Sequence, residues 1–407
     1  MSASAKPAAG GFALHPAARL WEAGVAVAMH PVAGAARIAD RPGAAALMAA
    51  LALGSGFRIG GDAPVTAGPG LFETLTSGSS GQPRRILRSV ESWRAGFAVN
   101  ARLFGIGPGV AVAVPGRLMH SLSLYGALEA LDLGADLHLL DGLRPDRQRA
   151  ALAAGRVDVV YATPAQLRLM VEAGGPPLPA LRLVVVGGSK LDPALRAALR
   201  AMAPAAALRE FYGAAEASFI TLADDTTPGD SVGVAYPGVQ IAVRDQAGRD
   251  LPDGHVGEVW VQSPYLFQGY AGDDPGSARW QDGWLTVGEM GRLDGPHLRL
   301  AGRAGRMVTV ADQNVFPEEV EAFLESLPGV TRAAVLPRPD ALRGQVLVAV
   351  CTGDPAAEGA VLRACRDRLG PLKAPRALIW RADWPVLASG KTDLSRIAAD
   401  LGGLSWR

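Results

Sequence analysis

Cysteine is nearly absent from this chain. Cys351 and Cys365 are the only two in 407 residues, with no CxxC pair and no histidine cluster around them. A zinc staple is therefore not expected, and a reduced, cytoplasmic setting is. Charge of one sign is lacking too. The formal net charge is +1, with 19% of residues charged, which supplies no field for a polyanion and makes nucleic acid an unexpected partner. Long apolar runs are also missing. The longest, Ala44 to Leu53, is about half of the ~20 residues that span a bilayer, so no membrane span is expected and the run reads as a buried helix. The start, MSASAKPAAGGFALHP, lacks the charged segment and continuous apolar stretch of a secretory signal and reads as a mobile lead-in.

What is present is apolar and patterned. With 49% apolar residues over 407, the chain can bury more than one core, and two or three domains are expected. From about Gly109, short β-rich runs (VAVAVP, ADLHLL, VDVVYATP, LRLVVVGGSKL) alternate with helical patterns. That alternation predicts an α/β layered sheet with functional loops at the carboxyl ends of its strands. After Ser231, GVAYPGVQIAVRDQAGRDLPDGHVGEVWVQSP reads as alternating strands with turns at DQAG and LPDG, an antiparallel β subdomain. Near Gly302 the texture changes again, to a Val-rich strand, the acidic helix PEEVEAFLESL and the strand TRAAVLPRP. The expectation is a large N-terminal α/β domain over 1–302 and a small, mobile α+β C-terminal domain over 303–407, with the boundary at Arg303 to Arg306.

The sharpest chemical signal is TLTSGSSGQPRR, Thr74 to Arg85, where six of the eight residues from Thr76 to Pro83 are Gly, Ser or Thr and a basic pair follows. Small residues let backbone N–H groups approach anionic oxygens, hydroxyls add donors, and a cation completes the cradle. The GK[ST] ending of a Walker A loop is absent. A flexible Gly/Ser linker is the plainer alternative for such a segment met alone.

This loop resembles the [ST]-[ST]-G-[ST]-[ST]-G-x-P-[KR] signature of the adenylate-forming enzymes: acyl-CoA synthetases, peptide-synthetase adenylation domains and luciferases. Further segments are similar to that family's motifs in the same order: FYGAAE at 211–216, GEVWVQSPYLFQGY at 257–270, DGWLTVGEMGRLD at 282–294, LAGRAGRMVTVADQNVFPEEVE from Leu300, and SGKTD at 389–393. The resemblance implies that Thr76, Ser77, Gly78, Ser79, Ser80, Gly81 and Arg84 hold the ATP phosphates, a guanidinium standing where lysine is commoner. Glu216 is implied as the Mg²⁺ ligand, Tyr212 and Gly213 as the adenine platform, Gly188 and Ser189 as the nucleotide edge, Glu289 and Arg303 as the ribose pair. Lys391 is implied as the catalytic lysine, withdrawn when the C-terminal domain turns between two half-reactions. His120 falls where the family places a residue lining the acyl site; a partly buried structural histidine is the alternative.

The implied activity is ATP-dependent activation of a small-molecule carboxylic acid to acyl-AMP, followed by transfer to a pantetheine thiol of CoA or of an acyl carrier protein. No Asp stands between Arg117 and Leu131, where amino-acid adenylation domains hold the substrate ammonium, and Glu129 is the one acid there. A fatty, hydroxy or aromatic acid is therefore expected. Several positions depart from the pattern. Ala215 replaces a threonine, Glu289 replaces an aspartate, and Ala311, Asp312 and Gln313 stand where acyl-CoA synthetases often carry glycines beside the pantetheine arm. The stretch ahead of the phosphate loop is short for the family, which leaves surface that a homodimer would cover. Two alternatives stay open: an adenylate former with a non-thiol acceptor, and an impaired homologue that binds nucleotide or a partner without turnover.

Overall fold

The computed structural model describes residues 10–30, 34–76, 84–272, 277–311, 313–387 and 392–402. Its largest element is a 15-stranded sheet. One half is parallel, in the spatial order Ala207–Ala214, Leu183–Val186, Val159–Ala162, Ala111–Val114, Asp136–Leu139, Arg19–Glu22. The inner strands VVYA and LVVV are buried at every residue, as strands covered on both faces must be.

Helices α1 (Gly43–Leu53) and α2 (Val90–Phe104) precede the crossovers, which are α3 (Ser121–Leu133), α4 (Pro145–Ala154), α5 (Pro164–Glu172) and α6 (Pro193–Met202). Their starts are legible in side chains. Thr163 and Gln166 form a capping box around Pro164, and the Asp192 carboxylate accepts from Leu195 N ahead of α6; each satisfies an orphan N–H of a first turn. From Ala111–Val114 the chain moves through α3 to one neighbour, Asp136–Leu139, and then through α4 to the other, Val159–Ala162. Reversals of this kind open a crevice outside the carboxyl ends of the strands.

The antiparallel strands after Ser231 do not form a layer of their own. Val234–Ala235 pairs with Ser218–Ala223 on one side and with His297–Arg303 on the other, so the expected subdomain continues the parallel sheet. Ser231 helps to weld the join: its hydroxyl, 2% exposed, donates to Leu298 O at 2.9 Å.

A second sheet flanks the expected phosphate loop. It runs Gly269–Tyr270, Arg85–Ser89, Leu71–Leu75, Arg58–Ile59, Arg37–Ile38, and residues 76–84 connect its central hairpin. Aromatic packing fixes that hairpin to the main core, with Phe72 edge-on to Trp93 at 4.7 Å and Trp93 edge-on to Tyr125 at 5.1 Å. A buried ion pair ties its base. Arg58 donates to Glu73 Oε2 at 2.6 Å with both side chains inaccessible, and Thr66 N donates to the other carboxylate oxygen at 2.5 Å.

Past Arg306 the chain builds separate cores. The strands Val330–Asp340, Gly344–Gly353 and Ala377–Trp380 form a sheet. Val320 and Leu324 of α7 (Pro317–Glu325) and Val361 and Cys365 of α8 (Glu358–Leu369) pack with Val335, Leu347 and Cys351; Ile397 and Leu401 of α9 (Leu394–Gly402) pack with Ala334 and Val350. Both thiols are core groups, pushed up by burial to about 12 and about 11 for Cys351 and Cys365. Among the described residues no helix is long and apolar enough to cross a membrane.

Candidate active site

The base of the phosphate loop is closed by its first and last members. Thr76 N donates to Arg84 O at 2.9 Å, and Arg84 N donates to Thr76 Oγ1 at 3.0 Å. Ser77, Gly78, Ser79, Ser80 and Gly81 lie outside the described residues. The Arg84 guanidinium lies 5.6 Å from the centroid of the Tyr270 ring and donates to Ser277 Oγ at 3.1 Å. The Tyr270 hydroxyl in turn donates to Glu216 Oε1 at 2.9 Å. One phenol thus joins the cation that ends the phosphate loop to the carboxylate expected to hold metal.

Glu216 stands on the turn between Ala207–Ala214 and Ser218–Ala223, where the register shifts at Tyr212 and Gly213. The turn is strained and crowded. Ser218 holds a φ of 58°, and a Cβ on Gly213 would meet Ser218 O at 2.1 Å, so only glycine fits there. Tyr212 is half-buried. Burial raises its hydroxyl well above the ordinary phenol range, with Glu289 and Glu216 adding to the rise and Arg303 opposing it. Tyr212, Glu216, Glu289 and Arg303 therefore share one neighbourhood. Glu289 and Arg303 face each other on paired strands, with Arg303 Nε donating to Glu289 Oε1 at 3.0 Å. Gly188 and Ser189 are exposed just past Leu183–Val186, where Gly188 takes a φ of 95° that favours glycine.

His120 sits at the N-cap of α3 and makes a bridge with Leu75, one residue before the phosphate loop. Its Nδ1 is buried with no hydrogen-bond partner. Burial first, then Arg117, lowers its pKa against the pull of Asp40 and Asp141, so the ring is neutral at neutral pH. Lys391 lies outside the described residues.

Among the described residues no group of three or more His, Cys, Asp or Glu could hold a metal ion. The lone Glu216 carboxylate, one oxygen held by Tyr270, nevertheless suits Mg²⁺, which binds through one or two carboxylates and takes water and phosphate oxygens as its other ligands.

Two residues of this neighbourhood carried no assigned role in the sequence reading. One is Tyr270. The other is Arg88, 1% exposed, whose Nη1 donates to Ala215 O and whose Nη2 donates to Tyr265 O and, at 2.7 Å, to Ser218 Oγ. Burial lowers its pKa to about 10, against the pull of Glu216. A signal was available: in the strand RILRS, Arg88 shares the buried phase with Ile86, and a charge on the core face of a strand calls for a partner.

Residues 69–271 match the AMP-binding enzyme family, and residues 319–391 match the AMP-binding enzyme C-terminal domain. An uncharacterised acyl–CoA ligase of Bacillus subtilis, YhfT, is 33% identical over 329 residues, 79% of this chain and 67% of that protein. The 2-succinylbenzoate–CoA ligase of Enterococcus faecalis is 28% identical over 324 residues, 78% of this chain and 66% of its own. Among solved structures, the amide bond synthetase McbA of Marinactinospora thermotolerans superposes with a TM-score of 0.72 at 30% identity, covering 84% of this chain and 72% of McbA. O-succinylbenzoate CoA synthetase of Bacillus subtilis, solved with ATP and magnesium, shares the fold at a TM-score of 0.71 and 22% identity, over 80% and 69% of the two chains.

Proposed function

From the premise that this chain belongs to the AMP-binding enzyme family, we propose that it activates a non-amino carboxylic acid as its acyl-adenylate and hands the acyl group to a pantetheine thiol. The observation that carries the reading is the Arg84–Tyr270–Glu216 line beside Tyr212, a guanidinium, a carboxylate and an aromatic ring suited to phosphate, metal and base.

In the first half-reaction a substrate carboxylate oxygen bonds to the α-phosphorus of ATP, and the bond to the β-phosphate oxygen breaks, releasing pyrophosphate. Arg84 and the loop hydroxyls draw the phosphates into line, Tyr212 and Gly188 seat the base, and Glu289 with Arg303 take the ribose hydroxyls. Glu216 would hold Mg²⁺, which neutralises the phosphate charge that builds as pyrophosphate leaves. The neutral His120 accepts or donates a hydrogen bond beside the acyl group without adding charge. Lys391, carried by a C-terminal lid over 303–407, lowers the barrier by setting an ammonium against the reacting oxygens. The lid would turn between Arg303, paired with Glu289, and Arg306, paired with Glu318 and Glu321. In the second half-reaction the thiol sulfur bonds to the acyl carbon, AMP departs, and the thiol proton passes to solvent.

The acceptor is taken to be CoA or a carrier-bound phosphopantetheine, the latter favoured by side chains at Ala311 and Gln313 in place of glycines. An amine acceptor is the second reading, favoured by the likeness to McbA, an amide bond synthetase. The test is pyrophosphate release from ATP and Mg²⁺ with pooled acids, followed by addition of CoA, a carrier protein or amines. Glu216→Ala should cut release by at least ~10²-fold, since one metal carboxylate accounts for several kcal/mol of charge stabilisation. Release within about twofold of wild type would remove Glu216 from the metal site.

A further inference from the structure

A metal-binding carboxylate on a short interstrand turn needs its backbone and its side chain held from outside the turn, because a displacement of about 1 Å misplaces the ion it carries. Within the turn that carries Glu216, Ala217 N donates to Ala214 O at 3.0 Å, but Ser218 sits at a φ of 58° and the pairing slips at Tyr212 and Gly213. Further restraints come from two other segments. Arg88 binds Ala215 O on one side of Glu216 and Ser218 Oγ on the other, and the same guanidinium binds Tyr265 O. Phe267 N donates to Glu216 O at 2.8 Å, and the Tyr270 hydroxyl donates to Glu216 Oε1 at 2.9 Å. Arg88 and Tyr270 lie on paired strands, with Tyr270 opposite Ile86 and Gly269 opposite Leu87. These are also the strands that flank the end of the phosphate loop.

Arg88 has a further peculiarity. It is 1% exposed and makes no carboxylate ion pair among the described residues; Trp93 lies 5.8 Å beneath it, and its Nε is unpartnered. A guanidinium buried this way is costly to desolvate, and its donors go to backbone and hydroxyl oxygens around one carboxylate.

Resting on the reading of Glu216 as the metal ligand, we infer that Arg88 and Tyr270 are its positioning residues: Arg88 sets the backbone of the turn and Tyr270 sets the carboxylate. Metal placement is thereby tied to the strands that carry the phosphate loop. Tyr270 holds Oε1 of Glu216, and its ring lies beside Arg84.

The experiment compares Tyr270→Phe, which removes only the hydroxyl and keeps the ring beside Arg84, with Arg88→Lys, which keeps charge but replaces the planar guanidinium fork with a single ammonium. Calorimetric binding of ATP is measured with Mg²⁺ and with EDTA, and pyrophosphate release is followed as Mg²⁺ is titrated. Both variants should raise the Mg²⁺ concentration for half-saturation by about 10-fold, as loss of such supporting contacts does at metal sites. ATP affinity in EDTA should stay within about twofold, and in a Glu216→Ala background neither change should alter the Mg²⁺ dependence further. An unchanged Mg²⁺ dependence in Tyr270→Phe, or equal losses with and without Mg²⁺ in both variants, would overturn the inference while leaving the functional reading in place. A wild-type protein that binds ATP without regard to Mg²⁺ would overturn the functional reading, and the inference with it.

Discussion

Glu129→Gln should remove the part of the stability change between pH 5 and 8 that Glu129 causes. Glu129 is fully buried on α3, where Tyr161 donates to Oε2, Asn100 Nδ2 donates to Oε1 at 2.8 Å, and Tyr236 backs Asn100 with a hydroxyl 2.6 Å from Oδ1. Burial pushes its carboxyl up to about 8 from an ordinary 4.5, although both hydrogen bonds pull the other way. Between those values the folded protein keeps a proton that the unfolded chain has released. Stability from this group is therefore complete below about pH 4.5 and falls as pH rises toward 8. At about 1.4 kcal/mol per unit, the loss from pH 5 to 8 is on the order of 3 kcal/mol. Glutamine keeps the shape, accepts from Asn100, donates to Tyr161 and cannot ionise. The assay is urea unfolding followed by tryptophan fluorescence at pH 5, 6, 7 and 8 for both proteins, because other titrating groups cancel in the difference. The variant should match wild type within about 1 kcal/mol at pH 5 and exceed it at pH 8 by roughly the 3 kcal/mol that ionisation removes. Parallel pH profiles for the two proteins would refute the argument.

Three further outcomes are expected. Lys391→Ala should slow acyl-adenylate formation by on the order of 10²–10³, the effect of losing one preorganised donor, and leave transfer from supplied acyl-adenylate nearly unchanged; equal losses in paired single-turnover assays would remove the assigned role. Glu73 behaves opposite to Glu129: burial alone would raise it, but the bonds from Thr66 and Arg58 outweigh burial and hold it below 4.5, so its stabilisation is present above that value and lost as pH falls. Glu73→Gln should thus cost about 3 kcal/mol at pH 7, by leaving Arg58 buried without its partner, and a smaller gap below pH 4 is the check in urea. Ala311 holds a φ of 50°, in the left-handed region, so Ala311→Gly should stabilise the C-terminal unit by about 1 kcal/mol; a melting temperature that falls would show that the side chain packs to advantage.

Period and composition were enough for the parallel strands and their crossovers, because a strand buried on both faces must be apolar throughout and VVYA and LVVV are. The membership in the AMP-binding enzyme family was legible for another reason: its motifs are runs of particular side chains in a fixed order, and side chains are what a sequence states. The buried helix over Ala44 to Leu53 was equally legible. The continuity of the sheet was not. Whether strands after Ser231 stack as a layer or extend the parallel half depends on which edge is free to pair at Val234–Ala235, and pairing partners lie far apart in the chain. The frame around Glu216 was hidden for the same reason. Arg88 announced only that it shared a phase with Ile86, and Tyr270 only that it belonged to a motif. The oxygens they bind, at Ala215, Ser218, Tyr265 and Glu216, are mostly carbonyls and a hydroxyl that any sequence contains in plenty. Their use as ligands for a guanidinium and a phenol was decided by tertiary packing, which brings the 215–218 turn against the paired strands Arg85–Ser89 and Gly269–Tyr270.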